Sequence, residues 1–223
     1  MVSADSAERS SDLTSGAVRQ VHVPMASAWW VLICGVTGLL ASGALTVEKV
    51  RILFDPSYVP ACNINPIVSC GSVMTTAQAS LLGFPNQLFG IAAFTVVVVT
   101  GVLAVTKVPL PRWYWVGLTI GVLVGTVFVH WLIFESLYRI GSLCPYCMVV
   151  WIITATLLVV VGSIAFRPDP DSTSGAAVRV LFQWRWSIAT LWLTAVFLLI
   201  MVRFWNYLVD TALGVEFALR RVK

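Results

Sequence analysis

Five apolar runs without a single Asp, Glu, Lys or Arg occupy residues 28–47, 88–106, 113–134, 143–166 and 187–202 of this 223-residue chain. A helix rising about 1.5 Å per residue needs roughly 20 residues to cross about 30 Å of hydrocarbon, which four of the runs match and the fifth approaches. Hydrophobic residues make up 59% of the chain and charged ones 11%, far below the ~25% charged of a soluble protein. The connections between runs are too short for a second soluble domain, so the expectation is one all-α membrane bundle with five transmembrane helices.

The net charge of +4 does not change this reading, because the 14 Lys and Arg are scattered over loops and ends. A nucleic-acid surface needs a clustered basic stripe, and none is visible. Ala41-Ser42-Gly43 would suit a cleavage site. The first run is longer than a signal core and follows 27 mostly polar residues, so an uncleaved helix is expected. Residues 1–24, rich in Ser, Ala and charge, read as a disordered cytoplasmic arm, and the arm ends at residue 27 where the first run begins. The division expected is an arm over 1–27, a four-helix unit over 28–166, and a connection, fifth helix and tail over 167–223.

With five spans, the N-terminus and the second and fourth connections share one side. That side holds Arg9, Arg19, Lys107, Arg112, Arg167, Arg179 and Arg185, whereas the opposite connections hold Lys49, Arg51 and Arg139. The positive-inside rule then puts the N-terminus in the cytoplasm of a cell inner (cytoplasmic) membrane. The tail runs against this pattern, placing Arg203, Arg220, Arg221 and Lys223 outside. Its Trp205, Tyr207, Leu208, Phe217 and Leu219 suggest that it lies partly in the interface.

On this topology Cys62, Cys70, Cys144 and Cys147 all fall on the outer, oxidising side, and only Cys34 sits mid-span as an ordinary small apolar residue. Cys144-Pro145-Tyr146-Cys147 opens the fourth helix. A three-residue spacing brings both sulfurs to one helical face, Pro is tolerated in a first turn, and the free backbone donors there stabilise a thiolate. A c-type haem would need His where Met148 stands, and a thioredoxin domain would need a βαβ pattern. A zinc site of all four cysteines, or structural disulfides, remain as the alternative: a non-catalytic membrane protein.

The loop over 48–87 carries Ile52, Leu53, Phe54, Val59, Ile64, Ile67 and Val68, which is apolar for a connection. It is expected to fold over the bundle mouth as a cap, with Cys62 facing water. Val73, Met74, Ala77, Leu81 and Leu82 recur at helical spacing, which predicts a half-helix starting just beyond Cys70. Two dithiols would then face each other, one on the loop and one at the membrane boundary.

Cys62-x7-Cys70 after the first span, Phe84-Pro85-Asn86-x3-Gly90 leading into the second, and Cys-Pro-Tyr-Cys opening the fourth together resemble the vitamin K epoxide reductase family. The resemblance covers roughly 28–166. DsbB-like quinone reductases place their CxxC before the second pair, the reverse of this order. The resemblance implies a four-helix bundle around a quinone site, with the half-helix capping it and one extra C-terminal helix. Cys62 would meet a partner protein, Cys70 would link to Cys144, and Cys147 would face the quinone. Asn86 resembles an asparagine that hydrogen-bonds a quinone carbonyl, and Trp151 stands where some members carry a tyrosine. Phe84 joins them on the quinone side, and no metal is implied. A fifth span resembles the bacterial branch, whose partner is a secreted thioredoxin-fold, DsbA-like thiol protein. Only 21 residues follow Val202, so a separate partner polypeptide is expected, with a menaquinone, ubiquinone or vitamin K type quinone as acceptor.

Five further polar positions carry expectations of their own. Thr76 matches a Ser/Thr that supports the half-helix, and His130 is either a proton relay or an interhelical hydrogen-bonding residue. Glu135 and Arg139, four apart, read as an exposed or interfacial ion pair. Gln87 reads as an interfacial cap.

Overall fold

The computed structural model describes residues 21–65, 67–80, 83–167, 176–205 and 209. Arg9, Arg19, Leu81, Leu82, Tyr207, Leu208 and the tail from residue 210 lie outside the described residues. Six helices follow in order: α1 (Met25–Phe54), α2 (Cys70–Met74), α3 (Asn86–Val105), α4 (Arg112–Glu135), α5 (Pro145–Ala165) and α6 (Ala176–Arg203). A 3₁₀ turn, Ala77–Ser80, follows α2, and a π turn, Ser136–Ile140, extends α4. No strand is present among the described residues, only an isolated parallel bridge between Val68 and Leu143.

Among the described residues five helices are long and apolar enough to span a membrane: α1, α3, Arg112–Ile140, α5 and Phe182–Arg203 within α6. The chain is an all-α membrane protein. Proline marks the starts of four of these helices, preceding α1 (Pro24), α3 (Pro85) and α4 (Pro111) and opening α5 as Pro145, where a missing N–H breaks no intrahelical bond. Gly141, at φ 69°, ends the π turn in the left-handed region, where a Cβ would be strained.

The tightest contact is between α1 and α3. A Cβ on Gly101 would stand 2.6 Å from the Leu32 Cα, one on Gly35 would stand 2.9 Å from the Val98 backbone nitrogen, and one on Gly38 would overlap the Phe94 ring. Water squeezes nothing together inside hydrocarbon, so close backbone approach through small residues supplies the packing energy instead. Ala28, Val31 and Cys34 of α1, Phe94 and Val97 of α3, Trp115 and Val122 of α4, and Leu157 and Val161 of α5 form one buried core. Cys34 is therefore a packing residue, as the sequence suggests.

Residues 21–24 belong to this packing, since Val21 N–H donates to the Leu110 carbonyl at 3.4 Å and Val21 and Val23 lie against the core. The bundle thus begins before residue 28. At the other end α1 continues past the apolar run into a turn bearing Glu48, Lys49 and Arg51.

The fifth span is peripheral. Only 6% of its most apolar stretch is buried, against 22–39% in the other four, which makes the arrangement four helices plus one. It docks through Ile200, which joins Ile133, Leu137, Leu143 and Trp151 in a second cluster. Arg203 Nε donates to the Leu137 carbonyl at 3.0 Å, placing a cation on a helix C-terminal carbonyl.

Candidate active site

The cap over one end of the bundle is built around α2. Ser69 precedes that helix in extended conformation, and its Oγ accepts from Ser72 N–H at 3.2 Å, the usual geometry of an N-cap serine. The Asn63 side-chain oxygen accepts from Ser69 Oγ at 3.1 Å and from Gly71 N–H at 2.9 Å, which folds the preceding loop back onto the helix start. Lys49 Nζ donates to the Met74 carbonyl at 2.7 Å and ties the far end of α2 to α1.

Two backbone bonds then align the cysteines. Leu143 N–H donates to the Ile67 carbonyl at 2.7 Å, and Ser69 N–H donates to the Leu143 carbonyl at 2.9 Å. Cys70 and Cys144 are the next residues on each side of this bridge, so the pairing carries their sulfurs to 3.3 Å. Cys70 is also joined to Cys62 by a disulfide, with a Cα–Cα separation of 5.7 Å.

Cys70 and Cys144 are buried in a cluster with Leu45, Met74 and Cys62. Burial of Cys62, only 8% exposed, departs from the water-facing position expected for it. The apolar loop packs its disulfide inward against Leu45 and Met74, while the adjacent Ala61 and Ile64 remain exposed.

Cys144 is the N-cap of α5, with Pro145 in the first turn. Its thiol is held below the usual range, chiefly by a hydrogen bond from the Cys147 side chain and further by the backbone amides of Cys147 and Tyr146, against the opposing effect of burial. These amides are the free donors of a helix N-terminus. Cys147, one turn inside, opens onto a pocket of about 390 Å³.

That pocket falls within the 300–1,000 Å³ usual for small-molecule sites. Phe89, Phe94 and Val97 of α3, Gly121, Gly125 and Phe128 of α4, and Met74 and Ala79 of the cap form mostly apolar walls. Asn86, Gln87, Cys147 and Trp151 line it too. Ser42 and Thr154 add two hydroxyls to this mostly apolar lining.

Asn86, the first residue of α3, donates from Nδ2 to the Gln78 carbonyl at 2.6 Å, so its amide also holds the cap. Trp151 is buried. Phe84 is not part of the pocket wall. It is 41% exposed and packs its ring tilted against Phe89, centroids 4.8 Å apart, so it reaches the pocket only through that ring.

Gln87 sits on the pocket wall, and its Oε1 is buried without a hydrogen-bond partner among the described residues. Its sequence context, a polar residue at a helix start, carried no signal for this. Thr76 Oγ1 donates to the Val73 carbonyl of α2 at 2.8 Å, a bond local to the helix end. His130 is turned elsewhere: Nδ1 lies 2.7 Å from the Thr126 carbonyl and the ring packs 4.8 Å from Trp192 of α6. A proton relay from His130 to the pocket has no geometric basis here. Glu135 is buried, not surface-exposed, at 4%.

A family model described as the Vitamin K epoxide reductase family matches residues 29–162, more than half of the chain. The chain belongs to this family. The matched region runs from the second turn of α1 to the last turn of α5, so α6 lies beyond it. Among curated proteins none matches. Family members are membrane thiol oxidoreductases that use quinones as electron partners, and the cap disulfide, the CxxC helix start and the apolar pocket are the parts such a reaction needs.

Proposed function

We propose that this protein reoxidises a secreted thioredoxin-fold, DsbA-like thiol protein and passes the electrons through Cys62/Cys70 and Cys144/Cys147 to a membrane quinone, supporting disulfide formation outside the cytoplasm. The observation that carries this reading is the 3.3 Å approach of Cys144 to Cys70 on one side, with Cys147 on the pocket wall on the other. Two of the four cysteines that a zinc site would use are already joined to each other.

The steps balance as thiol–disulfide exchange. A partner dithiol attacks the loop disulfide at Cys62, a mixed disulfide forms, and its second thiol resolves it to leave Cys62 and Cys70 reduced. Cys70 thiolate then attacks Cys144 of the oxidised CxxC, forming a Cys70–Cys144 disulfide and releasing Cys147 thiolate. Attack by Cys62 on Cys70 restores the loop disulfide and leaves both CxxC thiols reduced, the pairing found in the structure. The lowered thiol pKa of Cys144 makes it a good leaving group in that step. Re-forming Cys144–Cys147 releases two electrons and two protons at the pocket. A bound quinone of the menaquinone, ubiquinone or vitamin K type supplies a two-electron, two-proton acceptor there. Asn86 and Trp151 would orient it, with Phe84 supporting Phe89 from outside.

The charge distribution supports a cytoplasmic N-terminus and an outward-facing cap, with 28–166 as the catalytic unit and 167–223 as an accessory span and tail. The test is stoichiometric. Purified full-length protein in lipid nanodiscs, given a short-chain quinone and a reduced thioredoxin-fold substrate, should consume one quinone per disulfide formed. Partner oxidation without quinone loss, or neither, would sink the proposal.

A further inference from the structure

Glu135 closes α4 with only 4% of its surface exposed. A buried carboxylate needs donors to offset its lost hydration. Arg139 Nε lies 3.6 Å from Oε1, but that side chain is 65% exposed, and such pairs contribute little. The other oxygen, Oε2, accepts from Gln78 Nε2 at 3.3 Å, across 57 residues of sequence.

Gln78 belongs to the 3₁₀ turn Ala77–Ser80, and the next residue, Ala79, lines the pocket. Its carbonyl accepts the 2.6 Å bond from Asn86 Nδ2. One residue therefore links the end of α4 to the start of α3, with its side chain held by Glu135 and its backbone holding the Asn86 amide. Beneath the turn lies a void of about 30 Å³, with Gln78, Ser136, Cys147 and Trp151 on its wall. Gln78 and Cys147 thus face one small void.

We propose that Glu135 is a positioning residue: acting through Gln78, it holds the cap turn down on the pocket and sets the Asn86 amide for acceptor binding. This rests on reading the pocket as the acceptor site. The Cys70–Cys144 approach is held separately by the Leu143 bridge, so loosening the latch weakens acceptor binding and leaves cysteine exchange intact.

The experiment uses the full chain in nanodiscs with Glu135→Ala, Glu135→Gln, Gln78→Ala and the double alanine variant. Short-chain ubiquinone reduction is read as KM against kcat, and N-ethylmaleimide alkylation of Cys147 in the reduced protein is read without any quinone. Glu135→Ala should raise KM about tenfold, the worth of one charge-assisted hydrogen bond, with kcat within about twofold. Gln78→Ala should match it, and the double variant should be no worse than either. Glu135→Gln keeps an acceptor oxygen for Gln78 and should stay within about threefold of the parent. Alkylation of Cys147 should speed up in both single alanine variants and not in Glu135→Gln. Additive effects, a Glu135→Gln as impaired as Glu135→Ala, or unchanged alkylation overturns the proposal. If Glu135→Ala does not fold, Gln78→Ala with parental KM and alkylation overturns it as well. A parent protein that reduces no quinone sinks the acceptor-site reading instead, and the alkylation arms still decide the latch.

Discussion

Replacing Gly125 by Leu separates the pocket's role from every other part of the protein. Gly125 lies on the pocket wall, and a Cβ there would meet nothing within 4 Å. Taking about 30 Å³ per added heavy atom, the share of a water molecule in liquid, four carbons fill roughly 120 Å³. That is close to a third of the 390 Å³ present. An acceptor forced to share the space meets overpacking of about 1–3 kcal/mol, or roughly a five- to 150-fold rise in its KM. The helix itself tolerates the change, since Leu is favoured over Gly in a helix by roughly 0.8–1 kcal/mol. Steady-state reduction of a short-chain quinone gives the first readout. Acid-quenched exchange between the two cysteine pairs without quinone gives the second, and it should be unaffected. Gly117→Leu is the control, because it shares α4 and equally open surroundings but lies off the pocket wall. An unchanged quinone KM in Gly125→Leu, or an equal loss in Gly117→Leu, would refute the assignment of the pocket.

Three other outcomes follow from the cysteine geometry and the charge pattern. With the CxxC oxidised, Cys62→Ala should accumulate a Cys70–Cys144 disulfide because it lacks the sulfur that attacks Cys70, and a partner stripped of its second thiol should stay joined to Cys62 because it lacks the sulfur that resolves the adduct, each read by non-reducing peptide mapping; a partner adduct found only on Cys144 would reverse the order. In protein with reduced CxxC, the thiolate absorbance assigned to Cys144 by difference against Cys144→Ala should persist as pH falls below the ordinary thiol pKa of about 8.5 and be lost through a lower value. Cys147→Ala should move that inflection upward by removing the leading hydrogen bond, and an unmoved inflection would contradict it. Cysteines placed at exposed Ser57 and Lys107 should be labelled by an impermeant maleimide in intact cells at the first position and only after lysis at the second; the opposite pattern would invert the topology.

The number of spans, their helical nature and the order of the cysteines were legible in the chain itself. Hydrocarbon imposes this legibility, since each span must satisfy its own backbone and be apolar along its length, and both demands are local in sequence. The CxxC at a proline-marked helix start is likewise a local feature, and so is the start of the half-helix at Cys70.

Contacts across long sequence separations were decided only by the tertiary structure. No local pattern reveals that Leu143 bridges to residues 67–69 and draws Cys144 to Cys70, or that the loop turns Cys62 inward. Glu135 and Arg139 at helical spacing look like a surface pair in sequence; Gln78, arriving from the cap, makes Glu135 a buried acceptor. His130 and Gln87 show the same dependence in opposite directions. Periodicity gives each a place on its helix, but only the packing of α6 turns His130 toward Trp192, and only the meeting of the four helices puts Gln87 on the pocket wall. Which face of an apolar helix meets lipid and which meets another helix leaves little trace in composition, because lipid tails and leucine side chains are chemically alike.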